Sequence, residues 1–148
     1  MIKHSLAAVI VAALSLVAVP GHAEQVVREG DIIIHYTAIR TTLLTPEVAR
    51  RFDVTRSRNQ ALLVINAQRD TGEGLPTPIA ATATGHVTSL LGHRQTLDLK
   101  PKREGDVHYV LARFETLNSE YLTVDVEVTP EGHDTAIQVR WQQQFYND

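Results

Sequence analysis

The sequence has 148 residues, of which 14 are Lys or Arg, 17 are Asp or Glu and none is Cys, and its formal net charge is −3. A chain without cysteine forms no disulfide, offers no thiolate metal ligand and carries no lipid-modified N-terminal cysteine. Its mild acidity argues against nucleic acid as a partner, because non-specific binding to nucleic acid needs a strongly basic face.

The first 23 residues have the pattern of a secretory signal sequence. Lys3 supplies the positive start, residues 6–19 are almost entirely apolar, and residues 21–23 (Gly-His-Ala) form a small-residue cleavage site. The apolar run is shorter than the roughly 20 residues that a membrane-spanning helix needs, and no later segment is continuously apolar for that length. We therefore predict no membrane span, cleavage after Ala23 and a secreted, periplasmic protein whose residues 24–148 form a single domain.

The mature chain is dominated by short segments in which apolar and polar residues alternate. The alternation is clearest at residues 122–129 and 137–145, where each strand has one apolar and one polar face. Clusters of Gly, Pro and Asp separate the segments, as at residues 72–78 and 130–134. We predict seven strands, at residues 31–41, 59–69, 79–91, 93–99, 106–116, 120–129 and 135–146.

Consecutive hairpins with alternating faces and no long helix favour a two-sheet fold. We predict a seven-stranded antiparallel immunoglobulin-like β-sandwich with one short helix between strands 1 and 2, and a small closed barrel is the alternative. Residues 61–65 (Ala-Leu-Leu-Val-Ile) are apolar on both faces. This segment is therefore predicted to be a central strand that is covered on its second face.

A short helix is predicted to begin at Thr45. The Thr45 hydroxyl can cap the first turn, and Pro46 suits the first helical position. Asp53 is expected to end the helix after about two turns, which is too short to be stable alone. Val48 and Phe52 lie four residues apart on its apolar side, so we expect them to pack on the central strand.

An elbow at residues 53–59 joins this helix to the central strand, and the region around it is rich in arginine. Five arginines crowd 19 residues of an otherwise acidic chain: Arg40, Arg50, Arg51, Arg56 and Arg58. Guanidinium groups recognise carboxylates and phosphates through paired donors, so an anionic ligand or an acidic partner segment is one interpretation. We favour a structural interpretation, in which Arg56 binds buried loop carbonyls while Arg50 and Arg51 face water.

The remaining polar residues indicate no catalytic site. Ser57 stands between two arginines, which cannot act as general bases, and neither a GxSxG nor an S-x-x-K motif is present. We expect Ser57 to serve as a turn or capping hydroxyl. The carboxylates on the later strands lie on faces expected to be solvated, and their spacing places no two of them across a cleft: Glu115, Glu120, Asp125 and Glu127.

The histidines support only an alternative function. Of the five after the cleavage site, His93 and His133 adjoin turn glycines, and His35, His86 and His108 lie in or near strands without an HxH or HExxH spacing. Only distant strands could bring the last three together. The alternative is therefore a metal-handling protein or a small periplasmic enzyme that uses the strand histidines. No catalytic residue, metal ligand or cofactor is predicted.

A resemblance to a known family rests on several short motifs. The pattern His35-Tyr36-x-Ala38, Thr42-x-x-x-Pro46-x-Val48-Ala49, Arg56-Ser57 and Ile65-Asn66 resembles an uncharacterised proteobacterial family of small exported proteins, known only as a domain of unknown function. The C-terminal Gln143-Gln144-Phe145-Tyr146 is similar to the end of that family. The resemblance covers the mature chain and implies an envelope location and a β-sandwich fold. It implies no activity, cofactor or catalytic residue.

The leading hypothesis is a periplasmic binding or interaction module. Its partner would be a small anionic ligand or an envelope protein, and the oligomeric state does not follow from the sequence. The candidate binding residues come from the stretch with the unusual features: Arg56, Ser57, Arg58, His35 and Thr42.

Overall fold

The computed structural model describes residues 25–146, which form ten β-strands and two short helical segments. The strands are β1 (Gln25–Glu29), β2 (Ile32–Arg40), β3 (Gln60–Arg69), β4 (Thr77–Ile79), β5 (Ala81–Ser89), β6 (Arg94–Thr96), β7 (Lys100–Glu104), β8 (Val107–Glu115), β9 (Glu120–Pro130) and β10 (Ile137–Phe145). A 3-10 turn (Thr41–Leu43) and helix α1 (Pro46–Arg51) lie between β2 and β3. The predicted signal sequence, residues 1–23, lies outside the described residues.

The strands form two antiparallel sheets, which pack face to face. The first sheet has the order β1-β2-β3-β8-β7, with β4 also paired to β3, and the second has the order β10-β9-β5-β6. The prediction of an all-β sandwich is confirmed. Because the strands form two separate sheets, the alternative of a closed barrel is wrong. Among residues 25–146, no helix has the length and apolar character needed to cross a bilayer.

The predicted count of seven strands is wrong, for a physical reason. The predicted strand 79–91 divides at Ala80, because β4 pairs in the first sheet and β5 in the second. The chain crosses back after β6, and β7 (Lys100–Glu104) returns to the first sheet over residues that lie between two of the predicted strands. Alternation is continuous through such corners, so it does not show where a chain changes sheets. Strand β1 was also not predicted.

The main core lies between the two sheets. Inward residues of the first sheet, such as Ile34 and Leu63, meet fully buried valines of β9, such as Val124. Two aromatic pairs span the sandwich: the ring centroids of Tyr36 and Trp141 are 4.6 Å apart, and those of the edge-to-face pair Phe114 and Phe145 are 5.5 Å apart. Burial of these apolar faces provides the main driving force for the fold.

A second, smaller core covers the outer face of the first sheet. Leu62 of β3 and Leu111 of β8 are buried there beneath Ala49 of α1, and Leu44 and Val54 flank them. Strand β3 is paired with β2 on one side and β8 on the other. The prediction that residues 61–65 form a central strand covered on both faces is therefore confirmed.

Helix α1 has the predicted start. Thr45 is its N-cap, and the Thr45 hydroxyl accepts a 3.2 Å hydrogen bond from the Val48 amide. Phe52 follows the last helical residue and packs partly buried against the smaller core, while Asp53 takes a left-handed φ of 55° and turns the chain away. The helix is therefore held by its packing on β3, as its length requires.

Candidate functional site

The elbow is held together by hydrogen bonds to its own backbone. The fully buried Thr41 hydroxyl donates to the Ser57 carbonyl and accepts from the Ser57 amide, both at 2.8 Å. The Arg56 guanidinium donates through Nη2 to the Thr42 carbonyl at 2.8 Å. Arg56 therefore makes the backbone contact that the structural interpretation requires. However, this hydrogen bond is exposed, so the carbonyl is not the buried acceptor we expected.

The other arginines of the elbow and of the helix are exposed. Arg51 lies 3.6 Å from the Glu47 carboxylate one helical turn earlier, and both side chains are largely exposed. Arg58 is exposed on the elbow. The Ser57 hydroxyl accepts a long, 3.4 Å hydrogen bond from the Asn59 amide, which is the turn-capping contact predicted for it. The elbow thus brings Arg56, Ser57 and Thr42 together, and Arg58 adjoins them in the chain.

His35 does not join the elbow. It points to the outer face of the first sheet, directly across from Asn66 of β3, and its Nε2 lies 3.0 Å from the Gln68 side-chain oxygen. Thr42 and Arg56 lie beyond the other end of β2. The five predicted binding residues are therefore divided between the elbow and a separate polar position on the sheet.

The three strand histidines are not brought together. His35 lies on the outer face of the first sheet, while His86 lies on the outer face of the second sheet, beside Asp125. His108, on β8, lies opposite Arg103 at the edge strand β7. Within residues 25–146, no group of three or more His, Asp or Glu side chains is arranged to hold a metal ion. The structure therefore contradicts a metal site shared by these three histidines, whereas the alternative of a small periplasmic enzyme that uses the strand histidines stays a prediction.

A cleft of ≈ 500 Å³ lies between the C-terminal end of α1 and the β7–β8 edge of the first sheet. Apolar side chains of the smaller core form its inner part, and polar and charged side chains form its rim. The lining residues are Phe52, Asp53, Val54, Gln60, Leu62, Asp98, Lys100, Pro101, Lys102, Leu111, Ala112 and Arg113. A size of about 300–1,000 Å³ with apolar walls and few polar groups is typical of sites for small ligands.

The rim of this cleft has more cations than anions. Lys102 lies 3.7 Å from the Asp53 carboxylate and Lys100 lies 3.2 Å from the Asp98 carboxylate, so two of the cations have partners. Arg113 is exposed on the rim and pairs with no carboxylate of residues 25–146. An unpaired guanidinium beside an apolar surface suits a ligand that has both an anionic and an apolar part.

Sequence reasoning missed this cleft and the residue that holds the elbow. Arg113 is one polar residue on an alternating strand, and only the register of β3 and β8, which pairs Arg113 with Leu62, places it beside the smaller core. Thr42 was predicted as a binding residue and Thr41 was not, because the sequence alone does not distinguish the roles of two adjacent threonines. The change from the strand to the 3-10 turn at Thr41 is what directs that hydroxyl inward.

Several solved structures are similar in fold to this chain, whereas no curated protein matches it. A copper-bound variant of FetP from uropathogenic Escherichia coli is 11% identical, with 84% of this chain and 96% of that chain covered and a TM-score of 0.58. The copper-reconstituted P19 protein of Campylobacter jejuni is 10% identical, with 82% and 93% covered and a TM-score of 0.55. At these identities the likeness shows the fold alone.

Residues 25–146 of this chain do not fit a copper site. Copper is held by imidazole, thiolate and thioether ligands. The sequence has no cysteine, its single methionine is Met1, and residues 25–146 hold no convergent group of His, Asp or Glu. The chain shares the fold of these copper-containing proteins, but the part of it that the structure describes does not bring together side chains that could bind copper.

Family membership follows from two further comparisons. A crystal structure of a DUF4426 family protein from Pseudomonas aeruginosa is 27% identical, with 84% of this chain and 96% of that chain covered and a TM-score of 0.71. The family model for this domain of unknown function matches residues 26–148, which is nearly the whole of the predicted mature chain. The resemblance stated from the sequence motifs is confirmed, and the chain belongs to the DUF4426 family.

Proposed function

We propose that this protein is a periplasmic binding module of the immunoglobulin-like class, and that the cleft between α1 and the β7–β8 edge is its ligand site. The ligand has an apolar body and one anionic group. The observation that carries the proposal is the position of Arg113, on the rim of an apolar cleft and without a carboxylate partner among residues 25–146.

The two parts of the cleft have complementary tasks. Leu62, Leu111 and the Phe52 ring would bury the apolar body of a ligand, and this burial is favourable by about 25 cal/mol per Å² of apolar surface. The Arg113 guanidinium would bind the anionic group through paired donors, which a carboxylate or phosphate matches. Lys102 can join it, because its 3.7 Å contact with the exposed Asp53 carboxylate is weak and open to competition.

In this proposal the elbow has a positioning role. The Val54 amide donates to the Ala49 carbonyl at 2.8 Å and thereby fixes the start of the elbow to the helix. Val54, near the start of the elbow, and Gln60, which directly follows it, both line the cleft. The hydrogen bonds that Thr41 and Arg56 make with this segment therefore support one wall of the site, although neither residue lines it.

Ligand-induced stabilisation tests the proposal directly. Decanoate, which has an apolar chain and a carboxylate, is expected to raise the unfolding midpoint, since a ligand that binds only the folded state stabilises it. Decanol is expected to have a smaller effect. Arg113→Gln should remove most of the difference between the two probes. Arg94→Gln is the matched control, because Arg94 is an exposed arginine on the second sheet that does not line the cleft.

Two results would count against this site. One is an unfolding midpoint that decanoate does not change at any concentration below its micelle threshold. The other is an equal response to decanoate in the wild type and Arg113→Gln. Export is tested separately: mass spectrometry of the protein recovered from the periplasm should show Glu24 as the first residue, and a retained Lys3 would contradict the proposed location.

A further inference from the structure

One end of the sandwich exposes an unusual number of large apolar side chains. Leu91 is 98% exposed and Leu90 is 70% exposed in the β5–β6 turn, and Leu117, in the β8–β9 connection, is 67% exposed. Tyr146 and Leu43 are about half exposed. Soluble proteins commonly expose single apolar residues, but a group of them gathered in one region marks an interaction surface.

Strand register places these residues at the same end, which we call the leucine end. Ser89, just before Leu90, pairs with Leu122 near the start of β9, and Glu120 pairs with Phe145. In the first sheet the Thr116 amide donates to the Asn59 carbonyl at 2.8 Å, so the elbow adjoins the segment that holds Leu117. The leucine end thus combines three connections: the β2–β3 connection with its elbow, the β5–β6 turn and the β8–β9 connection.

The leucine turn is braced against the rest of this end. The Gln95 side chain donates to the Glu115 carbonyl at 2.9 Å and accepts from the Glu115 amide at 2.7 Å, which joins β6 of the second sheet to β8 of the first. The His93 amide also donates to the Ser89 hydroxyl at 3.1 Å. Leu90 and Leu91 are therefore presented on a supported turn rather than on a long loop.

Charge is distributed unequally between the two ends. Within the described residues, the leucine end (residues 40–59, 89–94 and 115–121) has six arginines and four carboxylates. The opposite end (residues 28–31, 69–76, 103–106 and 130–134) has three arginines and eight carboxylates. The C-terminal Asp148 lies outside the described residues and belongs to neither count. An anionic surface would repel the opposite end and attract the leucine end.

We propose that the leucine end docks onto an anionic lipid bilayer, with Leu90 and Leu91 inserted at the headgroup level. Interfacial binding is strengthened by buried apolar area and by attraction of basic side chains to anionic lipids, and this end offers both. A second copy of the chain is a poorer occupant, because a two-fold contact between two leucine ends would bring together two surfaces that each carry more arginines than carboxylates. The proposal is independent of the cleft and of its ligand.

Vesicle binding by the exported protein, with its signal sequence removed, tests this inference. We expect the protein to sediment with vesicles of phosphatidylglycerol and phosphatidylethanolamine, and to bind less to vesicles of phosphatidylcholine alone. L90N/L91N should weaken binding about tenfold or more, because insertion depends on apolar burial. Leu75→Asn is the matched control, since Leu75 is 90% exposed on the β3–β4 connection at the acidic end. Both variants should unfold at the wild-type midpoint.

A label at the same positions gives an independent measurement. The sequence has no cysteine, so L91C and L75C each carry a single site for an environment-sensitive fluorophore. Anionic vesicles should shift the emission of the label at position 91 to the blue and leave the label at position 75 unchanged. Absence of binding at low salt, equal loss in the Leu75→Asn control, or equal shifts at both labels would overturn the proposal. So would concentration-dependent dimers that disappear in L90N/L91N, because the leucines would then serve self-association.

Discussion

Thr41 and Ser57 form a reciprocal pair of hydrogen bonds that closes the elbow. The Thr41 hydroxyl donates to the Ser57 carbonyl and accepts from the Ser57 amide, and both distances are 2.8 Å. One side chain thereby satisfies the backbone donor and the backbone acceptor of a residue 16 positions later. Thr41 is fully buried, and without its hydroxyl the Ser57 amide would lose its partner, while the Ser57 carbonyl would keep only a long, 3.4 Å hydrogen bond from the Gln60 amide.

Replacement of Thr41 by Val keeps the shape of the side chain and removes its hydroxyl. We expect the free energy of unfolding to fall by about 1–3 kcal/mol, because the Ser57 amide and carbonyl lose their shared partner. Chemical denaturation measures the loss. Thr42→Val is the control, because the structure uses the Thr42 carbonyl rather than its side chain. Equal losses in the two variants would mean that Thr41 contributes only its methyl group and β-branch.

Arg56→Ala should lower the free energy of unfolding by less than it would if the Thr42 carbonyl were buried. The Thr42 carbonyl is exposed, so water can replace the guanidinium, and we expect a loss of about 0.5 kcal/mol in unfolding free energy. Arg56→Lys should recover part of it, because lysine keeps the charge but not the planar fork. Denaturation curves of the three proteins check this order. A loss of several kcal/mol for Arg56→Ala would show that the carbonyl is shielded from solvent.

The parts of the fold that sequence reasoning found are those set by local rules. Thr45 and Pro46 specify a helix start within a few residues of chain, and the capping hydrogen bond is present. Alternation along β9 and β10 depends on nothing beyond each strand and its two faces. The change of sheet at Ala80 could not be found in this way, because Ile79 and Ala81 keep the alternating pattern while they pair with different sheets.

The candidate site was harder to predict for a related reason. A cluster of arginines in the sequence predicts high charge density but not the direction of each guanidinium. In the structure Arg56 turns back onto the Thr42 carbonyl, whereas Arg113, an isolated arginine on β8, lines the cleft. The cleft exists because α1 covers only part of the outer face of the first sheet. That extent depends on tertiary packing, which spacing along the chain does not encode.

Helix α1 should respond unequally to changes at its two ends. Thr45→Ala removes the capping oxygen and is expected to cost about 1 kcal/mol. Phe52→Ala should cost more, about 2 kcal/mol, since its ring is partly buried and meets Tyr109 edge to face at 5.3 Å. Leu43→Ala, at a residue that is 48% exposed, is the control and should be close to neutral. Negligible losses at both Thr45 and Phe52 would mean that α1 does not stabilise the sheet.

Tyr36 makes stability depend on pH in the alkaline range. Burial against the core raises the pKa of the Tyr36 phenol above its ordinary value of 10.0. The unfolded chain therefore ionises at this residue before the folded protein does, so the stabilisation is complete below about pH 10 and is lost as the pH rises above it. Urea midpoints between neutral and alkaline pH should fall more steeply for the wild type than for Tyr36→Phe. Identical slopes would show that the phenol is solvated.

Gly85, which lies within β5, is expected to tolerate substitution poorly. It pairs with Val126 in the middle of the second sheet, and a Cβ atom built there would lie 2.4 Å from the Asp125 carbonyl oxygen and 2.8 Å from the Val126 Cα. Both contacts are with backbone of the neighbouring strand, which cannot move aside as a side chain does. Gly85→Ala should therefore lower the free energy of unfolding by about 1–3 kcal/mol, as overpacking does. Ala83→Gly is the control, at a position two residues earlier on the same face of β5. It measures the change in unfolding free energy when this strand is altered without introducing a clash. If Gly85→Ala proved neutral in chemical denaturation, β5 and β9 would have to separate more easily than their nine paired residues indicate.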